Sequence, residues 1–186
     1  MFGGCDHSLP PGPTSDMYIL KMGTGKDFEW VKPDTTGTTP QPRWRHTATV
    51  FDQNKVLIFG GFHSSTNRFN DVHIFDTITR SWEQPINDQS DFTPRGNHTP
   101  AKGASMGTPP PRGAHSATNV DGVVYIFGGY GGMGYARRDF NDLYTFDTDD
   151  YSWHKVTAKG KVRGEYVVAY LRRLPCEPHF PSPRRS

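Results

Sequence analysis

The residues that could carry chemistry in this chain are eight histidines, two cysteines and a scatter of serines and carboxylates. A metal site needs such side chains to converge at short, regular spacing. His7, His46, His63, His73, His98, His115, His154 and His179 show none, and Cys5 and Cys176 stand at opposite ends. His63 and His73 come closest, one expected in a loop and the other in mid-strand. Most Ser and Asp fall at expected turns, so their order supports no nucleophile–base arrangement. Tyr130-Gly131-Gly132-Met133-Gly134-Tyr135 has the glycine density of a phosphate loop, but lacks the following helix and the Lys-Ser/Thr pair. The expectation is no catalytic centre, no metal and no cofactor.

What remains is recognition chemistry. Arginine forks and rigid aromatics dominate binding hot spots, and several guanidiniums on one rim favour a carboxylate or phosphate. The candidates are Trp44, Arg45, Phe62, His63, Asn67, Arg68, Tyr130, Tyr135, Arg137 and Arg138. Together they predict a protein or peptide partner, acidic or phosphorylated at the contact.

The elements that must position them repeat. Short apolar runs end in double glycines three times: Phe2-Gly3-Gly4, Ile58-Phe59-Gly60-Gly61 and Ile126-Phe127-Gly128-Gly129. Each run reads as a buried strand stopped by a permissive turn. Upstream of the last two lie Pro42-Arg43-Trp44-Arg45-His46 and Pro111-Arg112-Gly113-Ala114-His115. Downstream come Phe69-Asn70-Asp71 with Trp82, and Phe140-Asn141-Asp142 with Trp153. Self-similarity of this kind signals a repeat architecture.

The Pro-Arg-x-x-His turn, the glycine pair, the Asn-Asp strand and the Trp, in register in both complete copies, resemble the kelch repeat. The resemblance covers residues 1 to about 170. It implies an all-β fold, an incomplete β-propeller of four-stranded antiparallel blades. The expected parts are a partial blade at 1–31, blades at 43–85 and 112–156, and a flexible insertion at 86–111. The start of a further repeat follows at 163–171, then a disordered, basic, Pro-rich tail at 172–186. Arg43, Arg112, His46 and His115 belong to the signature and are expected to tie blade to blade. Trp30, Trp82 and Trp153 recur once per blade and are expected to pack.

In such a blade the second-to-third loop and the connection to the next blade emerge on one face, and the other two turns emerge on the opposite face. All the long segments fall on the first: Cys5 to Asp16, Phe62 to Asn70, Tyr130 to Asn141, and the connections 32–42 and 86–111. This is the recognition face, since loops held by a rigid scaffold carry binding. The resemblance implies a non-catalytic scaffold or adaptor. It leaves open the substrate-recognition part of a ubiquitin-ligase adaptor, or a fragment of a kelch-type metal-dependent oxidase or specifier. Propellers typically use four to eight blades, so these are too few to close a ring alone, and self-association that completes the ring is a further expectation.

Composition agrees. Of 186 residues 33% are hydrophobic, with 20 Gly and 16 Pro, which suits strands and turns. A net charge of +2 gives no argument for nucleic acid. The apolar runs have strand length, so no membrane span is expected, and two cysteines fit a cytoplasmic, reducing compartment, cytoskeleton-associated in one reading.

Overall fold

The computed structural model describes residues 1–6, 12–25, 27–85, 107–132 and 137–157. Among these every regular element is a strand, sixteen in all. The expected segments 163–171 and 172–186, most of the insertion, and Tyr135 lie outside the described residues.

The N-terminal part contributes β1 (Cys5–Asp6) paired with β2 (Gly12–Pro13), and a hairpin of β3 (Ile19–Met22) with β4 (Phe28–Val31). Phe2 bridges to Met17 beside them. β5 (Thr36–Gly37) follows, then the first complete blade: β6 (Thr47–Phe51), β7 (Lys55–Phe62), β8 (Arg68–Asp76) and β9 (Ser81–Glu83). Its strands pair antiparallel in sequence order, as consecutive short-looped strands do. The second blade begins with β10 (Arg112–Gly113), then β11 (Ser116–Val120), β12 (Val123–Phe127), β13 (Tyr130–Gly131), β14 (Arg138–Asp139), β15 (Leu143–Asp147) and β16 (Trp153–Val156). Here β11-β12-β15-β16 form the blade, while β10-β13-β14 make a small sheet at its end. The β11–β12 turn places Asp121 at φ 50° and Gly122 at φ 84°, the left-handed pair that a two-residue hairpin requires.

The double glycines do not end the strand in the first blade. β7 runs through Gly60-Gly61, and its register against β8 shifts between Phe59 and Gly61 as a bulge. In the second blade β12 does stop at Phe127 before Gly128. The first glycine of a pair has a packing reason. A Cβ on Gly3 would lie 2.7 Å from the Arg43 carbonyl oxygen, and one on Gly60 would lie 2.6 Å from that of Arg112.

Aromatic packing joins the blades. Trp82 lies 4.8 Å from Phe75 of its own blade and 5.0 Å from Phe2 of the partial one. Trp153 repeats this with Phe146 at 4.9 Å and Phe59 at 5.0 Å. The largest buried cluster joins Leu57, Phe59, Val72 and Ile74 of the first blade to Val124, Ile126, Tyr144 and Phe146 of the second. Trp30 departs from the expectation: it is exposed rather than packed.

The polar signature divides its work differently from the expectation. The Arg43 backbone ties its blade to the partial one, since Gly4 N donates to the Arg43 carbonyl at 2.9 Å and Arg43 N to the Thr14 carbonyl at 3.2 Å. Its side chain acts within its own blade. Its Nη1 and Nη2 donate to both carboxylate oxygens of Asp71 at 2.6 and 2.9 Å, and Nη1 also donates to the Gly60 carbonyl at 3.0 Å. Arg112 does the same with Asp142 at 2.6 and 3.1 Å and Gly128 at 2.8 Å. Each guanidinium also lies 4.1 Å from a signature ring, Phe69 or Phe140. Burying each guanidinium fully is offset by a bidentate carboxylate, a carbonyl and an aromatic face around it. A signature histidine also links the two complete blades: His115 Nε2 shares a hydrogen bond with Thr47 Oγ1 at 2.8 Å.

The connections are also less free than expected. β5 runs parallel to β9, pairing Gly37 with Trp82, and covers the outer edge of the blade that it leads into. Gly107 lies against the backbone of Trp153 in the same way. Pro40 and Pro109 are fully buried three residues before the signature arginines. Residues 107–111 therefore belong to the blade and not to a flexible insertion.

Candidate interaction face

The antiparallel blades put the Phe62–Asn70 and Tyr130–Asn141 loops at the same end as the connections that lead into Arg43 and Arg112. The join is explicit. Trp44 and Phe62 exchange backbone hydrogen bonds at 2.9 and 2.8 Å, and Gly113 pairs with Tyr130. Connection and loop residues thus sit side by side within each blade, and Ala114 N, donating to the Arg45 carbonyl at 2.9 Å, joins the two blades at their seam.

The predicted residues fall along that seam as a ladder. The Arg45 guanidinium lies 4.9 Å from the Trp44 ring. Trp44 meets Phe62 edge-on at 5.6 Å, and Phe62 meets Tyr130 edge-on at 6.5 Å. The Arg68 guanidinium lies between the last two, 5.9 Å from Phe62 and 6.0 Å from Tyr130. A Cβ on Gly113 would lie 2.9 Å from the Phe62 ring, so the glycine lets the ring approach the seam. Arg45, His63, Tyr130, Arg137 and Arg138 are exposed, Trp44 and Asn67 are half-buried, and Phe62 and Arg68 are buried.

Arg68 is not the solvated loop charge that its surroundings in sequence suggest. It is 9% exposed, at the first position of β8. Its Nη1 donates to the Gly132 carbonyl at 3.3 Å across the seam, and its Nη2 donates to the Ser65 carbonyl. No ion pair joins it to a carboxylate among the described residues. Burial and the nearby Arg137 push its pKa below the ordinary arginine value. A guanidinium desolvated by two rings and held only by carbonyl oxygens is a cation lacking a counter-ion.

His63 and Asn67 are loop braces instead. His63 Nδ1 donates to the Pro42 carbonyl at 3.0 Å, and the Asn67 backbone closes the loop through His63 N, Ser64 N and Ser64 Oγ. Arg138 lies 5.2 Å from the Phe140 ring. Arg45 has a left-handed backbone at φ 55°, and the equivalent Ala114 has φ 56°. That conformation is therefore a device of the repeat, not of a ligand.

Charge divides between the two ends of the blades. The tight turns at the far end carry Asp52, Asp76, Asp121, Asp147, Asp149 and Asp150. The same end also carries Lys55, paired with Asp52, and Arg80. At the loop end Asp71 and Asp142 pair with Arg43 and Arg112, and Asp139 stands exposed beside Arg138. Sequence reasoning missed the carbonyls of Ser65 and Gly132 and the role of Gly113. It also missed the Asp partners of the signature arginines, for which the repeated Asn-Asp beside each Phe was the available signal. Among the described residues no three His, Cys, Asp or Glu side chains gather to hold a metal ion. No helix there is long and apolar enough to cross a membrane, which says nothing of a β-barrel.

Four-stranded antiparallel blades packed face to face, each locked by one Arg–Asp clamp, define a propeller-type repeat protein. The comparisons give the family. The KLHDC2/KLHL20/DRC7 Kelch-repeats domain matches residues 1–106, and the Kelch motif matches residues 111–160. The chain belongs to the kelch-repeat family. It is 32% identical to Kelch domain-containing protein 3 of Rattus norvegicus, over 87% of this chain and 38% of that protein. It is 30% identical to the Dynein alpha chain, flagellar outer arm, of Chlamydomonas reinhardtii, over 84% of this chain and 3% of that one. It is 33% identical to the Rab9 effector protein with kelch motifs of Mus musculus, over 53% and 25% respectively. The chain thus spans well under half the length of these relatives.

Proposed function

We propose that this chain is a non-catalytic protein-interaction module that binds a partner through its loop face. The observation that carries the reading is Arg68, a buried guanidinium with no carboxylate partner among the described residues, set between Phe62 and Tyr130 where two blades meet. The ligand is an acidic or phosphorylated segment of a protein. Its anion is drawn by Arg68, Arg137, Arg138 and Arg45, and its apolar side chains rest on Trp44 and Tyr130. The scaffold or adaptor role is supported by membership of the kelch-repeat family. The name of the Rab9 effector relative supports a regulatory protein partner, and that of the dynein chain supports a cytoskeleton-associated, intracellular setting. Association between copies of the chain completes the reading.

The test is fluorescence anisotropy with a labelled Glu-rich peptide and its phosphoserine counterpart, titrated against the chain and against Arg137→Ala/Arg138→Ala. Affinity should fall about tenfold or more in the double variant, as each 1.4 kcal/mol lost is a factor of ten. Unfolding should shift by at most about 0.5 kcal/mol, because exposed charges contribute little to folding. Equal affinity in both proteins, or equal affinity for a Lys-rich peptide, refutes the anionic ligand.

A further inference from the structure

The loop between β7 and β8 carries three hydroxyl residues in a row, Ser64, Ser65 and Thr66. His63 N and Ser64 N both donate to the Asn67 carbonyl, at 3.0 and 3.2 Å. The Ser64 hydroxyl accepts from Asn67 N at 2.9 Å and from Thr66 N at 3.3 Å, and it shares a hydrogen bond with Thr66 Oγ1 at 3.3 Å. Two of the three hydroxyls are thereby committed to holding the turn. Ser65, between them, is exposed, and its Oγ has no hydrogen-bond partner among the described residues.

The same residue touches Arg68 through its main chain, since the Ser65 carbonyl accepts from Arg68 Nη2. Only Cα and Cβ separate that carbonyl group from Oγ, and an exposed serine exchanges its χ1 rotamers freely. A guanidinium has five N–H donors, and Arg68 commits one to Ser65 and one to the Gly132 carbonyl. No carboxylate among the described residues takes the others. Arg137 adds its charge nearby, second to burial in lowering the Arg68 pKa.

We propose that Ser65 is a phosphorylation site, whose phosphate pairs with Arg68 and closes the loop face to an acidic ligand. A protein kinase transfers the γ-phosphoryl group of a nucleoside triphosphate to Ser65 Oγ. The Oγ–P bond forms, the bond to the departing nucleoside diphosphate breaks, and the hydroxyl proton passes to solvent. The phosphoserine carries a charge of about −1.5 to −2 and three strong acceptor oxygens. A hydrogen bond from a guanidinium to an anion is roughly twice as strong as a neutral one, so the phosphate draws Arg68 more strongly than the carbonyls do. Tethered three residues away on the same loop, it meets Arg68 at an effective concentration that a free peptide does not reach. It then occupies the guanidinium and repels any incoming carboxylate. This regulation rests on the loop-face reading above.

Phosphoserine installed at position 65 of the full chain by codon suppression tests it, in the anisotropy titration with the labelled Glu-rich peptide. Affinity should fall about tenfold or more, whereas phosphoserine installed at position 152, in a turn at the opposite end, leaves it unchanged. In phosphorus NMR the phosphate at 65 should titrate below its usual second pKa of about 6, and Arg68→Gln should return it toward that value. Should Arg68→Gln misfold, Arg137→Ala, at an exposed side chain, returns part of the shift. Mass spectrometry of the chain expressed in eukaryotic cells with phosphatases inhibited should find phosphate on Ser65. Affinity unaltered by the phosphate at 65 overturns the proposal, as do an equal loss from position 152, a phosphate that titrates normally, and a Ser65 left unmodified in cells. An unmodified chain that binds no peptide refutes the acidic ligand instead, and the phosphate titration then still decides the contact between Ser65 and Arg68.

Discussion

Acidification should loosen the seams between blades well before it protonates any carboxylate. His46 and His115 lie at the two seams, each with a buried Nδ1 that has no hydrogen-bond partner. Burial, then the positive charge of Arg43, lowers His46 from 6.5 to about 4, against a backbone hydrogen bond at Phe2 that raises it. Burial, then Arg112 and then His46, lowers His115 to about 3. Both are thus neutral when folded and titrate at their ordinary value when unfolded. A depressed histidine contributes stability that is present above the unfolded pKa and is lost as pH falls toward the folded one. Between about pH 7.5 and pH 5 each histidine removes roughly 2 kcal/mol by linkage. With the more exposed His46 discounted for solvent screening, the pair removes about 3 kcal/mol, a large share of the ~5–15 kcal/mol of a typical domain. Asp71 does not contribute in this window. Its burial raises its pKa, but hydrogen bonds from Arg43 and His73 outweigh that and hold it below the ordinary 3.8, so its share of stability is lost only in stronger acid. Urea unfolding followed by tryptophan fluorescence at the two pH values, with and without His115→Asn, measures the effect. The variant should lose about half of the pH dependence. Stability flat from about pH 7.5 to pH 5, or a pH dependence unaltered by His115→Asn, refutes the argument.

Three further pairs of substitutions probe the fold by the same urea unfolding. Arg112→Ala leaves Asp142 as an uncompensated, largely buried carboxylate and should cost about 3–5 kcal/mol, with little recovery in Arg112→Lys, which lacks the fork. Trp82→Ala should cost about 3–5 kcal/mol, whereas Trp30→Ala, equivalent in sequence but exposed, should cost under about 1 kcal/mol in the monomer. Gly60→Ala forces a side chain at φ 64° against the Arg112 carbonyl and should destabilise more than Gly25→Ala, whose Cβ position is open and which carries backbone strain alone.

The blade architecture was legible because its cues are local and repeated. The glycine pair, the Asn-Asp strand and the Trp each recur at a fixed role, so one copy checks the other. What the order of residues could not show was which polar groups the fold would bring together. Arg43 and Asp71 are far apart in sequence, and only the β7–β8 ladder sets the guanidinium against the carboxylate. The edge cover by β5 was hidden in a segment that reads as a Thr/Gly/Pro connection, and its signal was the recurrence of Pro40 and Pro109 before the arginines. Trp30 looked like Trp82 because the local sequence is the same, whereas burial depends on what the neighbouring face supplies. The candidate face was found from residue type and loop position. Arg68 sits inside it for a reason that no pattern carries: the β7–β8 ladder pairs it with Phe62, and its Nη1 reaches the Gly132 carbonyl of the next blade.

The central claim is that recognition takes place at the loop end of the blades. Amide chemical-shift mapping of the chain titrated with the Glu-rich peptide tests it directly. The account predicts that shifts concentrate at Trp44, Arg45, Phe62, Arg68, Tyr130 and Arg138. Shifts that gather instead at the acidic turns around Asp52, Asp76 and Asp121, or a spectrum left unchanged at saturating peptide, would contradict it.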